Sequence, residues 1–331
     1  MLQHCYFSFP SQNSMRETTG LRTQWNTPKN LPDMKKVLTS AEQIDFKVTD
    51  LSGMPAPSRV LKVKPTWFDV EYVINPHMKD NVGGVDKMQA ANEWEHLVDG
   101  YEELGFNVDI LDGVKGLPDL VFCANQSLPF IDETGRKKVI MSIMRAPQRR
   151  GEVAVIEAWY KKNGYEIIRM DEEKTGNFEG MGDALWHFKR RLLWGGYGFR
   201  TSLDAYDQIS EVLDTPVIAL ELVDEKFYHL DTCMCMLNEK SVLIYEDAFT
   251  EKGIEMIRKL FDNVILASKY EAEKLFAVNA TCPDGKNVFI QQGCTDVNKK
   301  LRDAGFSVHE FSTYEFMKSG GSVFCMKLLY W

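Results

Sequence analysis

The sequence predicts an α/β fold laid out as a closed array of five repeated units around a shared centre, and three observations carry that expectation. Short β-rich runs, among them RVLKVK, FDVEYVI, KKVIMSIM and SVLIYE, alternate with amphipathic helical stretches from Val60 onward. Three helices end alike, in YEELGFNVDILD, YKKNGYEIIRMD and LRDAGFSVHEFS, each a helix, a C-cap glycine and a strand, and DTPVIALEL and FDNVILASK are degenerate copies. The strand positions Val108, Ile167, Val217, Val264 and Val308 recur every 44 to 59 residues. Such units cannot bury their faces alone. A closed arrangement brings one edge of every unit to a common centre, where chemistry should sit.

Taken in order, residues 1–59 are polar, contain Pro28, Pro32, Pro55 and Pro57, and show little periodicity beyond a short helix near residues 36–44. They are expected to form an N-terminal extension, partly dispensable for the central site. Residues 60–331 are expected to form a single catalytic domain. The composition fits a globular chain: of 331 residues, 44% are hydrophobic and 26% charged. Acidic residues outnumber basic ones, 48 to 39, for a net charge of −9, which argues against nucleic acid or an anionic membrane as the main partner. No apolar run approaches the ~18 residues of a spanning helix. The opening MLQHCYFSFP lacks a basic n-region, so the expected location is cytoplasmic. Seven cysteines fit buried thiols in a reducing compartment better than a disulfide framework. Cys233 and Cys235 form only C-x-C, and no metal site is expected.

No phosphate loop, dinucleotide fingerprint or G-x-S-x-G elbow is present, so no cofactor is expected. GGYGFRT (195–201) reads as a shaped loop. Four separated segments combine glycines or strand ends with reactive side chains: PDLVFCAN (118–125), NFEGMGD (177–183), YHLDT (228–232) and KSGGSVFC (318–325). They fall in different repeat units. Together with FDVEYVINPHM and GGYGFRT, in this order, they resemble the amidinotransferase-like, guanidine-modifying pentein superfamily, from about Val60 to Leu328. That resemblance implies a five-bladed ββαβ propeller around a central pocket.

A guanidinium carbon is a poor electrophile, so its hydrolysis needs a strong nucleophile, a proton donor for departing ammonia and carboxylates that hold the planar cation. Cys325 is the expected nucleophile, with a glycine pair just upstream. His229 is the expected acid and base, and Asp231 shares its strand face at i+2. By resemblance Asp231 binds guanidinium, Glu179 orients or charges His229, and Arg145 and Arg200 bind the substrate α-carboxylate. His77, His96 and His187 read as surface or half-buried positions, and Trp67 as core.

Asn125 stands where deiminases and dimethylarginine hydrolases of the superfamily generally have Asp. With Asn75 it resembles the arginine dihydrolase branch, because a less anionic pocket holds a neutral ureido group more comfortably. The leading expectation is a cofactor-independent Cys hydrolase of arginine, forming ornithine, ammonia and carbon dioxide. The alternatives are a citrulline hydrolase, a deiminase, a dimethylarginine hydrolase, an amidinotransferase or a non-catalytic partner-binding ring. The expected partner is a small guanidino or ureido amino acid, with a homo-oligomer left open.

Overall fold

The computed structural model describes residues 36–331. Their strands form five separate sheets, and one connection pattern recurs through them. Lys137–Met141 pairs antiparallel with Ser127–Ile131 and parallel with Glu166–Ile168, and the helix Arg150–Lys162 makes the crossover that parallel pairing requires. Leu193–Tyr197 repeats this between Ala184–Trp186 and Val217–Glu221, with Ala205–Leu213 as crossover. Ser241–Ile244 does so between Met234–Met236 and Asn263–Leu266, with Glu251–Leu260. In the next unit Asn287–Gln291 and Ser307–Phe311 run parallel across Thr295–Asp303, and the antiparallel neighbour shrinks to one bridge between Thr281 and Phe289. The remaining sheet joins distant parts of the chain. Leu328–Tyr330 runs antiparallel to Arg59–Val63, which pairs in parallel with Asn107–Leu111 across Lys87–Glu103.

The five repeat positions all lie on the strand that follows a crossover: Val108 faces Val60, Ile167 faces Val139, Val217 faces Leu193, Val264 faces Val242 and Val308 faces Val288. The helix ends explain which copies were easy to see. Gly105, Gly164 and Gly305 take φ of 82°, 77° and 90°, the left-handed position that glycine reaches without a Cβ penalty. In the two degenerate copies Asp214 takes that position with φ 47°, and Phe261 leaves its helix in an extended conformation.

Three local expectations are corrected. FDVEYVI is not a strand: Phe68 and Val70 are buried, but among the described residues no strand pairs with the segment, which runs as a loop into Asn75. GGYGFRT begins inside the strand Leu193–Tyr197, where a Cβ on Gly195 would lie 2.5 Å from the Tyr206 ring. The segment 36–44 holds the strand Val37–Leu38 and the 3-10 turn Ala41–Gln43 in place of a helix. Val37–Leu38 adds to the edge of Val217–Glu221, and Ile44, Val48, Leu51 and Met54 are buried. This stretch of the expected extension therefore packs on the body. Residues 1–35 lie outside the described part. Among the described residues no helix is long and apolar enough to cross a membrane.

Candidate active site

In each unit the turn that enters the first strand carries polar side chains inward. Asn125 precedes Ser127–Ile131, Glu179 and Asp183 precede Ala184–Trp186, His229 and Asp231 precede Met234–Met236, Asn279 precedes the Thr281 bridge, and Cys325 precedes Leu328–Tyr330. All of them are buried. Asn125, His229 and Cys325 line one narrow cavity of about 10 Å³, together with Asn75, Asp119, Arg149, Arg200 and Tyr228. Ile74, Asn75, Arg200 and Tyr228 also line a wider outer cavity of about 370 Å³, which Arg145 borders.

The reactive centre consists of two coupled pairs. Cys325 Sγ donates to Asp231 Oδ2 at 3.2 Å and accepts from Asn279 Nδ2 at 3.2 Å. Burial and the Asp231 carboxylate both push the thiol well above its ordinary value, so the resting group is a thiol. His229 Nε2 bonds Glu179 Oε2 at 2.6 Å. Burial opposes ionisation of Glu179, but the Arg200 guanidinium and the His229 hydrogen bond hold its carboxyl down to about 2. Burial pushes the His229 imidazole down to about 4 against the pull of Glu179. The resting pair is therefore neutral imidazole beside carboxylate, and no described residue bonds His229 Nδ1.

Tight backbone approach makes this geometry. Glu179 leads into Gly180–Asp183. Gly180 has φ 52°, and a Cβ there would sit 2.6 Å from Ser127 N. At Gly182 a Cβ would lie 2.3 Å from Asn125 Nδ2 and 3.3 Å from His229 Cγ. FEGMGD is thus a turn pressed between two site residues, and no larger side chain fits at either glycine. Asp183 braces the same turn, accepting from Thr201 Oγ1 at 2.6 Å and Leu230 N at 3.0 Å.

Several expected placements change. His229 and Asp231 do not share a strand face: His229 caps the 3-10 turn Leu230–Thr232, held by Thr232 Oγ1 donating to His229 O at 2.6 Å. The turn separates the two side chains, so His229 meets Glu179 and Asp231 meets Cys325. Arg200 is not a free fork for a carboxylate. Its Nη1 donates to Glu179 Oε2 at 3.1 Å, its Nη2 to Ile74 O at 3.0 Å, and its guanidinium lies 4.6 Å from the Tyr228 ring centroid. Arg145 is exposed at the outer cavity, where its side chain bonds Phe199 O and its backbone N donates to Glu179 Oε1 at 3.0 Å. Asn75 spends Oδ1 on His77 N at 3.0 Å and Nδ2 on Ser319 O at 3.0 Å. Trp67 is exposed and His187 fully buried, each the reverse of its expected place.

Two residues at the centre escaped the sequence reading. Arg149 is 4% exposed, forks onto Glu152 and donates from Nη1 to Asn125 Oδ1 at 3.0 Å. Asn279 receives Ser322 N on Oδ1 at 3.0 Å and donates Nδ2 to Asp231 O at 3.0 Å, tying the turn of Cys325 to that of Asp231. Its signal was the similarity of VNATC (278–282) to LDTC (230–233), blurred by one extra residue.

Asp231 supplies a stability prediction. Burial raises its carboxyl to about 7 against the opposing effects of Cys325 and Lys327. A folded value above the unfolded one favours the protonated form, so the native state loses stability as pH climbs from about 4 through about 7 and carries the full cost above it. At about 1.4 kcal/mol per unit the cost is about 4 kcal/mol at most. Asp231→Asn is expected to melt higher than wild type at pH 8, with the gain shrinking toward pH 4. Equal melting temperatures at pH 8 would show that the carboxylate is not held at a cost.

The chain matches a family model described as N,N dimethylarginine dimethylhydrolase, eukaryotic, over residues 74–328. It is 36% identical over 277 residues to the bifunctional arginine dihydrolase/ornithine cyclodeaminase ArgZ of Synechocystis sp., covering 82% of this chain and 37% of that protein. It is also 36% identical over 274 residues to N(G),N(G)-dimethylarginine dimethylaminohydrolase of Mycobacterium tuberculosis, covering 83% and 86%. The chain thus spans little more than a third of the bifunctional relative. Among solved structures, the N-terminal domain of ArgZ bound to substrate superposes with a TM-score of 0.76 at 35% identity, covering 82% of this chain and 97% of that one. The mixed α/β architecture is therefore shared with that domain. The same domain has been solved covalently bound to a reaction intermediate, with the same score.

Proposed function

The chain belongs to the N,N-dimethylarginine dimethylhydrolase family, and within that family we propose that it is an arginine dihydrolase, converting arginine and two waters into ornithine, two ammonia and carbon dioxide. Cys325 is the nucleophile, His229 the proton carrier, and Glu179 the carboxylate that supports its charged form. The five repeated units are the blades of a propeller around this centre, and residues 36–59 pack with residues 60–331 as part of the same unit.

Identity to ArgZ and to the mycobacterial dimethylarginine hydrolase is equal, so the choice of substrate rests on one observation. Asn125 Nδ2 is buried without a hydrogen-bond partner. Its amide orientation is fixed because Arg149, a pure donor, occupies Oδ1. What remains is a buried donor that asks for an acceptor. A guanidinium offers only N–H groups. The ureido group of citrulline offers a carbonyl oxygen, which satisfies Nδ2, while its N–H groups suit the unpaired Asp231 Oδ1 beside Cys325. A site that pairs better with citrulline than with arginine holds the first product for a second hydrolysis.

The sequence of events follows from the resting charges. Arginine brings the cation that Asp231 and Cys325 lack, which favours thiolate, and the thiol proton passes to His229. Sγ attacks the guanidinium carbon, His229 returns the proton to the departing ammonia, and water activated by the again neutral His229 cleaves the thiouronium to citrulline. A second round at the ureido carbon releases the second ammonia and a carbamate that breaks down to ornithine and carbon dioxide. The inner cavity has the room of about one water. Entry of the guanidino group therefore requires contacts across the shared wall to part, where Tyr228 OH donates to Gly320 O at 2.7 Å and Asn75 Nδ2 to Ser319 O.

Product ratios test the reading. Wild type is expected to give about two ammonia and one ornithine per arginine. Asn125→Asp replaces the unpaired donor with an acceptor, and Arg149 neutralises part of the added charge. The variant should therefore release more citrulline per arginine consumed, with a smaller gain in arginine binding. Wild type that stops at citrulline would make the chain a deiminase, and wild type that acts only on dimethylarginine would place it with the mycobacterial relative.

A further inference from the structure

A second inner cavity, of about 90 Å³, shares no lining residue with either cavity at the active site. Its walls are apolar, with Met54, Pro57, Trp186, Phe188, Phe324 and Trp331 among them. One charged group is buried in that wall: Lys327, 1% exposed. Among the described residues its Nζ makes no hydrogen bond and no ion pair, and it rests 3.3 Å from the centroid of the Phe324 ring. A ring face attracts an ammonium but fills none of its three donor directions. Asp231 acts on Lys327 only through space, with no hydrogen bond or ion pair between the two side chains, and its Oδ2 accepts from Cys325.

The rest of the described lining supplies no anion. Lys189 is exposed at the edge and adds a second cation, and among the described residues no Asp or Glu side chain lines the cavity. His187 has both ring nitrogens in use, Nε2 on Glu239 O at 2.9 Å and Nδ1 on Trp194 Nε1 at 3.2 Å. A buried ammonium among aromatic walls, with donor capacity unused, is complementary to an anion that carries an apolar body.

We propose that this cavity binds a small monocarboxylate with a short apolar tail, the carboxylate on Lys327 and the tail between Trp186, Phe324 and Trp331. A dry cavity of roughly 150 Å³ takes benzene, so the smaller volume here suits a chain of about four carbons. A neutral ligand would leave the ammonium unpaired. A dianion would bring a second charge against walls in which the described residues hold no further buried cation.

The probe is butyrate, titrated into the full chain by calorimetry and by tryptophan fluorescence, since Trp186 and Trp331 lie in the wall. Saturable binding at least tenfold tighter than that of 1-butanol is expected, with butylamine weaker still. Lys327→Met should lower butyrate affinity at least tenfold and leave butanol unchanged. Ala56→Trp, at the half-buried edge, should remove both, which separates this cavity from any carboxylate binding near Arg145. If Lys327→Met does not fold, Lys327→Arg should keep the preference for butyrate over butanol, and Ala56→Trp decides the location. No saturation by butyrate, an equal affinity for butanol, or butyrate binding that survives Ala56→Trp would overturn the assignment.

Discussion

Cys325→Ser is expected to leave the fold intact and to lower turnover of arginine by at least about 10,000-fold. The size of the effect follows from ionisation. Even the thiol is pushed upward here by burial and by Asp231, and in the proposed reaction the arginine cation supplies the charge that favours its first ionisation. A serine hydroxyl starts from a far higher value, so the same cation cannot ionise it to a useful extent. The replacement is nearly isosteric and keeps a donor for Asp231 Oδ2, so circular dichroism and melting temperature should stay close to wild type. Ammonia and ornithine release measure the loss, and mass spectrometry of wild type quenched during turnover should find the adduct on the peptide that contains Cys325. Wild-type kcat/KM should climb from neutral into alkaline pH, the direction that a raised thiol requires. Cys123 is the built-in control. It carries the same local V-F-C triplet in another unit, VFCAN against VFCMK, yet it is fully buried and donates to Leu61 O at 3.4 Å. Cys123→Ser should retain activity, and an adduct on Cys123 would move the nucleophile there.

The repeat was legible because it is written in backbone chemistry. The three glycines with positive φ mark helix ends that any strand-after-helix unit needs, and the apolar residues behind them fall on the strands paired across the crossovers. That Cys325, His229 and Glu179 gather in one buried cluster was legible because each sits in a turn whose neighbours have no packing reason to be so small or so polar. The pairing among them was not. Whether His229 meets Cys325, Asp231 or Glu179 depends on the 3-10 turn Leu230–Thr232, and an H-x-D read as a strand puts both side chains on one face. Arg200 was assigned to a carboxylate of the substrate when the protein's own carboxylate, Glu179, holds it. Nothing in the sequence separation of 21 residues reveals that contact. Arg149 was masked by its neighbours, since one of three arginines in MRAPQRR turns inward and the spacing does not say which. Its partner Glu152, three residues on, is the feature that singles it out.

His229→Ala is expected to reduce turnover roughly 100- to 10,000-fold and to flatten the acidic limb of the pH profile, the limb that the His229 imidazole sets. On the proposed mechanism the proton traffic falls to a single ring: Nε2 is fixed on Glu179 Oε2 at 2.6 Å, and Nδ1 is the nitrogen that no described residue bonds. Burial holds the free imidazole down to about 4, so at neutral pH His229 arrives without a proton to give. It must first collect one, and the Cys325 thiol is the nearby group that substrate binding makes willing to lose it. Glu179, ionised beside Arg200, then stabilises the imidazolium until ammonia departs. Two consequences separate this role from a structural one. Imidazole added in solution should restore part of the activity of His229→Ala, because truncation leaves space next to Gly182, whose Cα carries no side chain to fill it. The double variant with Cys325→Ser should be scarcely worse than Cys325→Ser alone, since residues that move one proton between them do not add. Full additivity, or a His229→Ala enzyme with wild-type rate and pH profile, would return His229 to the position of a turn residue that merely caps Leu230–Thr232.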